Sequence, residues 1–183
     1  DGSHRPRQEW LDDVLARRPL GVILVLSDLD AAQRLQLETR SIPYVVVDTA
    51  GEQAPGVPTV GSQNWNGGLV ATRHLLGLGH RRILVLSGPG DLLCSRARVD
   101  GYRTAHDEAG VAVAPDLVRY GEFSVRDGYA QALDMLGRPD RPSAVFACSD
   151  MQALGVMRAA HELGLRVPED LSVVGYDDIP VSG

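Results

Sequence analysis

The stretch LRVPEDLSVVGYDD, residues 165–178, decides the fold. It reads as a helix end, a proline turn, a short apolar run and two adjacent carboxylates. A run this short and this rich in β-branched residues is a strand buried on both faces, as in a parallel sheet. The strand ends in Gly175-Tyr176-Asp177-Asp178, which puts a carboxylate at the mouth of a buried sheet. An unpaired charge there is costly, so it needs a partner from protein, metal, solvent or ligand.

Outward from this point the same alternation repeats. SAVFACSD (143–150) is a strand that leads into a helix over 151–163, stopped by Gly164. Ser124 caps a helix whose inner stripe is Val125, Tyr129, Ala132, Leu133 and Leu136. LVRYG (117–121) and RILVLSG (82–88) are strands, and the second feeds a helix over 95–109 ended by Gly110. A long helix over 64–78 carries Trp65, Leu69, Thr72, Leu75 and Leu76 at helical spacing, with Gly79 at its C′ position. Further toward the N-terminus, GVILVL (21–26) and YVVVD (44–48) read as strands, the first of them buried. Helices are expected over 8–18 and 30–40. The loop TAGEQAPGVP (49–58) precedes a short strand near 59–61, and the break around it divides the chain into two lobes, 1–61 and 62–183.

Strands and helices in strict alternation mean an α/β fold, with parallel sheets covered by helices on both faces. Ligands of such sheets bind beyond the carboxyl ends of the strands. Asp177, Ser149-Asp150, Asp48-Thr49 and the loop after Ser87-Gly88 all fall at such ends.

Composition narrows the function. The 183 residues are 44% apolar and 23% charged, ordinary for a globular protein. A net charge of −6 argues against a nucleic-acid surface on this segment, since phosphate binding needs clustered cations. Cys94 and Cys148 form no CxxC, and two reduced thiols in a cytoplasmic protein are expected. The five histidines (His4, His74, His80, His106 and His161) show no paired spacing, so no metal or cofactor is expected. No apolar stretch approaches the roughly 20 residues of a membrane span.

Each motif admits two readings. SGPGD (87–91) lacks the third glycine of a dinucleotide fingerprint and the Lys of a phosphate loop, so a plain turn is expected. In ACSD (147–150) no neighbouring His activates Cys148 or Ser149, so no catalytic nucleophile emerges. There the default is capping by Ser149 or Asp150, with ligand contact the second reading. His80-Arg81-Arg82 follows a helix end and reads as a solvated trio complementing its dipole. Arg96 and Arg98 fall in the first turn of the helix from 95, where positive charge opposes the dipole; salt bridge and ligand clamp both stand. Phe123, just before an N-cap, is either a hydrophobic staple or a stacking face.

SDMQALGVMRAAHELGLRVPEDLSVVGYDD, with NWNGGLVATRHLLGLGHRRILVLSGP and SRARVDGYRTAHDEAG, resembles the signature of the lactose/galactose-repressor (LacI–GalR) family, in the family's order and over nearly the whole chain from Gly21. The resemblance implies two Rossmann-like lobes of the type I periplasmic-binding-protein kind, hinged around a sugar or purine effector, usually in a homodimer. It also implies an N-terminal lobe that is incomplete here, and a separate helix-turn-helix headpiece, missing from this chain, that reads operator DNA. By resemblance Arg98 hydrogen-bonds the effector, Phe123 packs on it, and Asp177 accepts from its hydroxyls. Ser149 stands where some members have Asn, Ser62 where others have Asp or Phe, and Thr49 where a loop residue reaches in. Asp178 is expected to be structural.

The expected function is therefore binding of a mono- or oligosaccharide effector by a bacterial regulator, with no catalysis and no membrane. Two alternatives stand beside it: a sugar-binding protein of an uptake system, and an α/β enzyme acting on a sugar.

Overall fold

The computed structural model describes residues 5–51 and 55–180. His4, part of the loop after Thr49, and the last residues lie outside the described residues. The chain forms two compact units: Asp1–Ser62 with Asp91–Cys94, and Gln63–Gly90 with Ser95–Gly183.

The first unit holds α1 (Gln8–Arg17), β1 (Val22–Val25), α2 (Ala31–Thr39), β2 (Tyr44–Val47) and β3 (Thr59–Val60). Its strands form a parallel sheet in the order β1-β2-β3. Leu11 and Leu15 of α1 and Leu37 of α2 pack with Val22, Leu24 and Val46. The expectation of a strand buried on both faces fails for β1. Its residues alternate buried and exposed, with Ile23 71% and Val25 62% exposed. A pleated strand sends successive side chains to opposite faces, and the core of this unit engages only the face of Val22 and Leu24.

The second unit contains α3 (Asn64–Gly77), β4 (Ile83–Ser87), α4 (Leu93–Glu108) from Ser95 onward, β5 (Val118–Tyr120), α5 (Val125–Leu136), β6 (Ala144–Ala147), α6 (Asp150–Glu162) and β7 (Ser172–Val174). Its sheet is parallel throughout, in the order β5-β4-β6-β7. Here the expectation of helices on both faces is met, and the strand period of two shows why. Leu84, Leu86, Val145 and Ala147 pack against Ala132, Met135 and Leu136 of α5 and Val156, Ala159 and Ala160 of α6. The alternate residues Ile83, Val85, Ala144 and Phe146 pack against Leu69 and Leu75 of α3 and Val99 and Tyr102 of α4.

On each face the two helices approach to backbone contact. A Cβ on Gly68 would lie 2.1 Å from the Arg98 carbonyl oxygen, and one on Gly128 2.5 Å from that of Gln152. Only glycine permits so close an approach. Following β4 the chain crosses to β5 on one side and then to β6 on the other, which creates a switch point at the carboxyl ends of the strands.

Candidate functional site at the carboxyl ends of the second sheet

Four segments converge beyond β4, β5, β6 and β7, and the side chain at their centre is Arg98. Helix α4 starts at Leu93, two residues earlier than the sequence spacing predicts, so Arg98 sits in its second turn rather than its first. Arg96 remains in the first turn and is exposed, whereas Arg98 is only 6% exposed. Burial of a guanidinium demands that its donors be satisfied. Nε of Arg98 donates to Oδ1 of Asn64 at 2.8 Å, and one terminal nitrogen donates to the carbonyl of Cys148. The other terminal nitrogen stands 3.8 Å from Oδ1 of Asp177, an ion pair longer than a direct hydrogen bond.

Aromatic rings complete the surroundings. The guanidinium carbon lies 3.7 Å from the centroid of the Tyr176 ring and 5.6 Å from that of Phe123. Both distances fall within cation–π range. Phe123 is not a staple onto α5, because the N4 position such a contact needs is Gly128, which has no side chain. Its ring lies over Gly88 instead, where an added Cβ would come within 2.2 Å of it. That close approach accounts for a glycine in SGPGD without any phosphate.

The segment after β7 carries Tyr176, followed by Asp177 and Asp178 in strained backbone, with φ of 111° and 57°. Asp150 holds that segment. Its backbone N–H donates to the Tyr176 carbonyl at 2.8 Å, and its Oδ2 accepts from the N–H of Ile179 at 2.9 Å. The structural role expected of Asp178 thus falls to Asp150, which is 6% exposed, whereas Asp178 is exposed.

Ser149 caps α6, its hydroxyl accepting from the Gln152 N–H at 3.2 Å and donating to Gln152 Oε1 at 3.3 Å. Gln152, fully buried, donates through Nε2 to the carbonyls of Ser87 and Glu122, both at 3.1 Å. The first turn of α6 therefore ties together the ends of β4, β5, β6 and β7.

The structure thus brings Arg98, Phe123 and Asp177 to one place, with Ser149 in the polar layer at the end of β6. Thr49 and Ser62 belong to the first unit. There Ser62 donates from its N–H to Oδ1 of Asp48 at 2.9 Å and from its hydroxyl to Oδ2 at 3.2 Å. Asn64, Tyr176 and Gln152 were not singled out from the sequence as site residues. For Tyr176 the signal was its place beside Asp177. Asn64 and Gln152 carried none, because their partners are distant in the chain.

Away from the site, His80 is not solvated as expected. Its ring nitrogens lie 2.8 Å from the Ser143 hydroxyl and 3.0 Å from that of Ser172, and burial lowers its pKa. Arg81 serves the end of α3 instead, donating to the Leu76 carbonyl at 2.9 Å. Cys94 and Cys148 are both buried, and neither is in a disulfide. Among the described residues there is no cluster of metal-ligating side chains, and no helix is long and apolar enough to cross a membrane.

Comparison with known proteins fits this arrangement. A family model described as a periplasmic binding protein-like domain matches residues 72–183. The HTH-type transcriptional repressor PurR of Haemophilus influenzae (strain PittEE) is 35% identical over 172 residues, which cover 93% of this chain and 51% of that protein. Its counterpart of the same name in Proteus mirabilis (strain HI4320) is 39% identical over 174 residues, covering 94% and 51%. Among solved structures, a complex of the transcriptional regulator CelR with cellobiose has a TM-score of 0.80 at 36% identity, covering 95% of this chain and 54% of that one. A lac repressor dimer bound to operator and an anti-inducer has a TM-score of 0.75 at 31% identity, covering 93% and 58%. The chain spans about half the length of the curated relatives it matches. Those relatives are transcriptional repressors, not enzymes.

Proposed function

Because this chain belongs to the lactose/galactose-repressor family and carries its periplasmic-binding-protein-like effector domain, we propose that it binds a mono- or oligosaccharide and thereby sets the operator affinity of a regulator. The observation that carries the reading is the pairing of Arg98 with Asp177 beside two aromatic rings at the ends of a parallel sheet. A guanidinium donates to hydroxyl oxygens, a carboxylate accepts from hydroxyl protons, and both bonds are charge-assisted. An aromatic face beside them suits the C–H face of a sugar ring.

The partners follow from the same reading. The net charge of −6 repels phosphate, so operator DNA is read by a headpiece outside this chain, paired through a homodimer in the cytoplasm. A ligand that prefers one conformation of the domain shifts DNA affinity by linkage. The uptake-protein alternative is set aside because the relatives are repressors. A purine effector is the second reading. It is favoured by the 35–39% identity to proteins named PurR and by Phe123, on which a flat base would stack.

Calorimetry with cellobiose, ribose and a purine base separates the readings. Saturable binding of a sugar, weakened about one to two orders of magnitude by Asp177→Ala, is the expected result. Binding of the purine alone would replace the first reading by the second. Bound sugar should be recovered unchanged.

A further inference from the structure

We propose that Tyr176 is the positioning residue of the effector site, holding Arg98 in place so that Asp177 faces the ligand. The proposal rests on the effector reading above and concerns how that site is assembled. Two contacts compete for the outer side of the Arg98 guanidinium. The Asp177 carboxylate stands 3.8 Å away on a side chain that is 41% exposed. The Tyr176 ring stacks on it at 3.7 Å from centroid to guanidinium carbon. The ion pair is long and its carboxylate half in solvent, so its hold on Arg98 is weak. The stacked ring touches a guanidinium that is almost wholly desolvated, where a cation–π contact is strongest.

The ring itself is seated against α3, and its backbone is held as well. A Cβ at Gly67 would fall 2.5 Å from Cε2 of Tyr176 and 2.8 Å from its hydroxyl, so α3 leaves a notch of one missing methyl for it. Its backbone carbonyl accepts from the Asp150 N–H, which fixes the segment from which it projects. Arg98 is in turn tethered at Nε to Asn64, on the same helix as Gly67. The guanidinium is thereby fixed in plane by Asn64 and the Cys148 carbonyl, and fixed in tilt by the ring. Asp177 faces the remaining terminal nitrogen at 3.8 Å.

The test reads Arg98 directly and needs no ligand. Protons over an aromatic face are shifted upfield, so the Nε–H of Arg98 should resonate upfield of the bulk of the arginine signals in the 183-residue chain. It is assigned as the signal lost in Arg98→Lys. Tyr176→Leu should move that signal downfield, and Gly67→Ala should do the same by crowding the ring out of its notch. Tyr176→Phe should leave it in place, and Asp177→Asn should barely move it.

A cellobiose titration forms the second arm. There Tyr176→Leu should lower affinity by roughly tenfold, and Tyr176→Phe should restore it. An Arg98 signal unmoved in Tyr176→Leu, or a Phe variant that behaves like Leu, would overturn the proposal. Should the unsubstituted chain bind no cellobiose, the effector reading suffers, while the resonance shift still decides the role of Tyr176.

Discussion

The two units share an alternating pattern of helix and parallel strand, yet they manage their backbone and their sheet differently. In the second unit β4 and β6 are buried along their whole length, and helices α3, α4 and α6 end at Gly79, Gly110 and Gly164, all at positive φ. In the first unit β1 buries every other residue, and the chain turns through positive φ at Arg18, Leu26, Ser41 and Asp48, none of them glycine. Side chains tolerate that region poorly. Among the described residues the second unit confines it, glycines aside, to Asp177 and Asp178 at the candidate site, whereas the first unit uses it at helix and strand ends. The comparison teaches that one hydrophobic pattern can specify two sheets of unequal security. What separates β1 from β4 and β6 is whether both faces of the strand are covered.

The largest expected effect follows directly. Phe146, in the middle of β6, is fully buried among residues of α3 and α4. Phe146→Ala should cost about 3–5 kcal/mol, from lost transfer energy and a cavity that a close-packed layer cannot collapse. Ile23→Ala in β1, at a side chain 71% exposed, should change stability by no more than about 0.5 kcal/mol. Urea unfolding of both variants checks the pair. A cost at Ile23 comparable with that at Phe146 would mean that this face of β1 is covered in the working protein.

Among the described residues each unit also holds one buried glutamine, and the two should differ. Gln152 joins the Ser87 and Glu122 carbonyls and the Ser149 hydroxyl. Gln33 completes the capping box of α2 with Asp30 and donates to the Pro6 carbonyl at 2.9 Å. Gln152→Ala should cost about 2–3 kcal/mol, because it empties a buried polar node shared by three strand ends. Gln33→Ala should cost about 1 kcal/mol, the usual worth of a cap. Thermal unfolding of the two variants gives the order, and a reversed order would show that α6 does not organise the site.

How much of this was legible in the sequence varies with the distance over which each residue acts. Helix ends at Gly79, Gly110 and Gly164 were readable because a C′ glycine is a local signal. So was the Ser124 cap, whose hydroxyl accepts from the Asp127 N–H only three residues on. The strand GVILVL misled, because an unbroken apolar run looks the same whether one face or two are covered. The grouping of Arg98, Phe123 and Asp177 came from family resemblance, since no spacing rule joins positions so far apart. Gln152 escaped notice for the same physical reason: its acceptors are 65 and 30 residues away in the chain.

A subtler contrast is in pH dependence. All four described histidines lie in the second unit. His106 is buried against Tyr102, with ring centroids 4.3 Å apart, and burial lowers its pKa; burial lowers that of His80 as well. A histidine whose native pKa lies below its unfolded value of about 6.5 resists a proton that the unfolded chain accepts. Its stabilising contribution is therefore complete above that unfolded value and is lost as pH falls through the native one. Amide exchange in the second unit should accelerate as pH falls below about 6.5, after correction for the intrinsic rate, more than in the first unit. His106→Gln should flatten the trend, and an equal pH response in both units would assign it to other groups.

The smallest effect tests the backbone contrast itself. Gly79 ends α3 at φ 97°, its N–H donating to the Leu76 carbonyl while the His80 N–H donates to that of Leu75. Ser41 ends α2 in the same pattern at φ 55°, with Ser41 bonded to Glu38 and Ile42 to Leu37. The two caps thus share their hydrogen bonds and differ in residue type. A Cβ at Gly79 would meet nothing within 4 Å, so any cost of Gly79→Ser is conformational rather than steric crowding by neighbours. That cost should be about 1 kcal/mol, the strain of positive φ less the entropy a serine no longer contributes to the unfolded chain. Ser41→Gly removes strain at a smaller φ, nearer the left-handed minimum, and frees the unfolded chain in exchange. It should stabilise by no more than about 0.5 kcal/mol. Urea midpoints resolve the two variants, and a Ser41→Gly variant less stable than its parent would show that the serine side chain does work at that cap which outweighs its backbone strain.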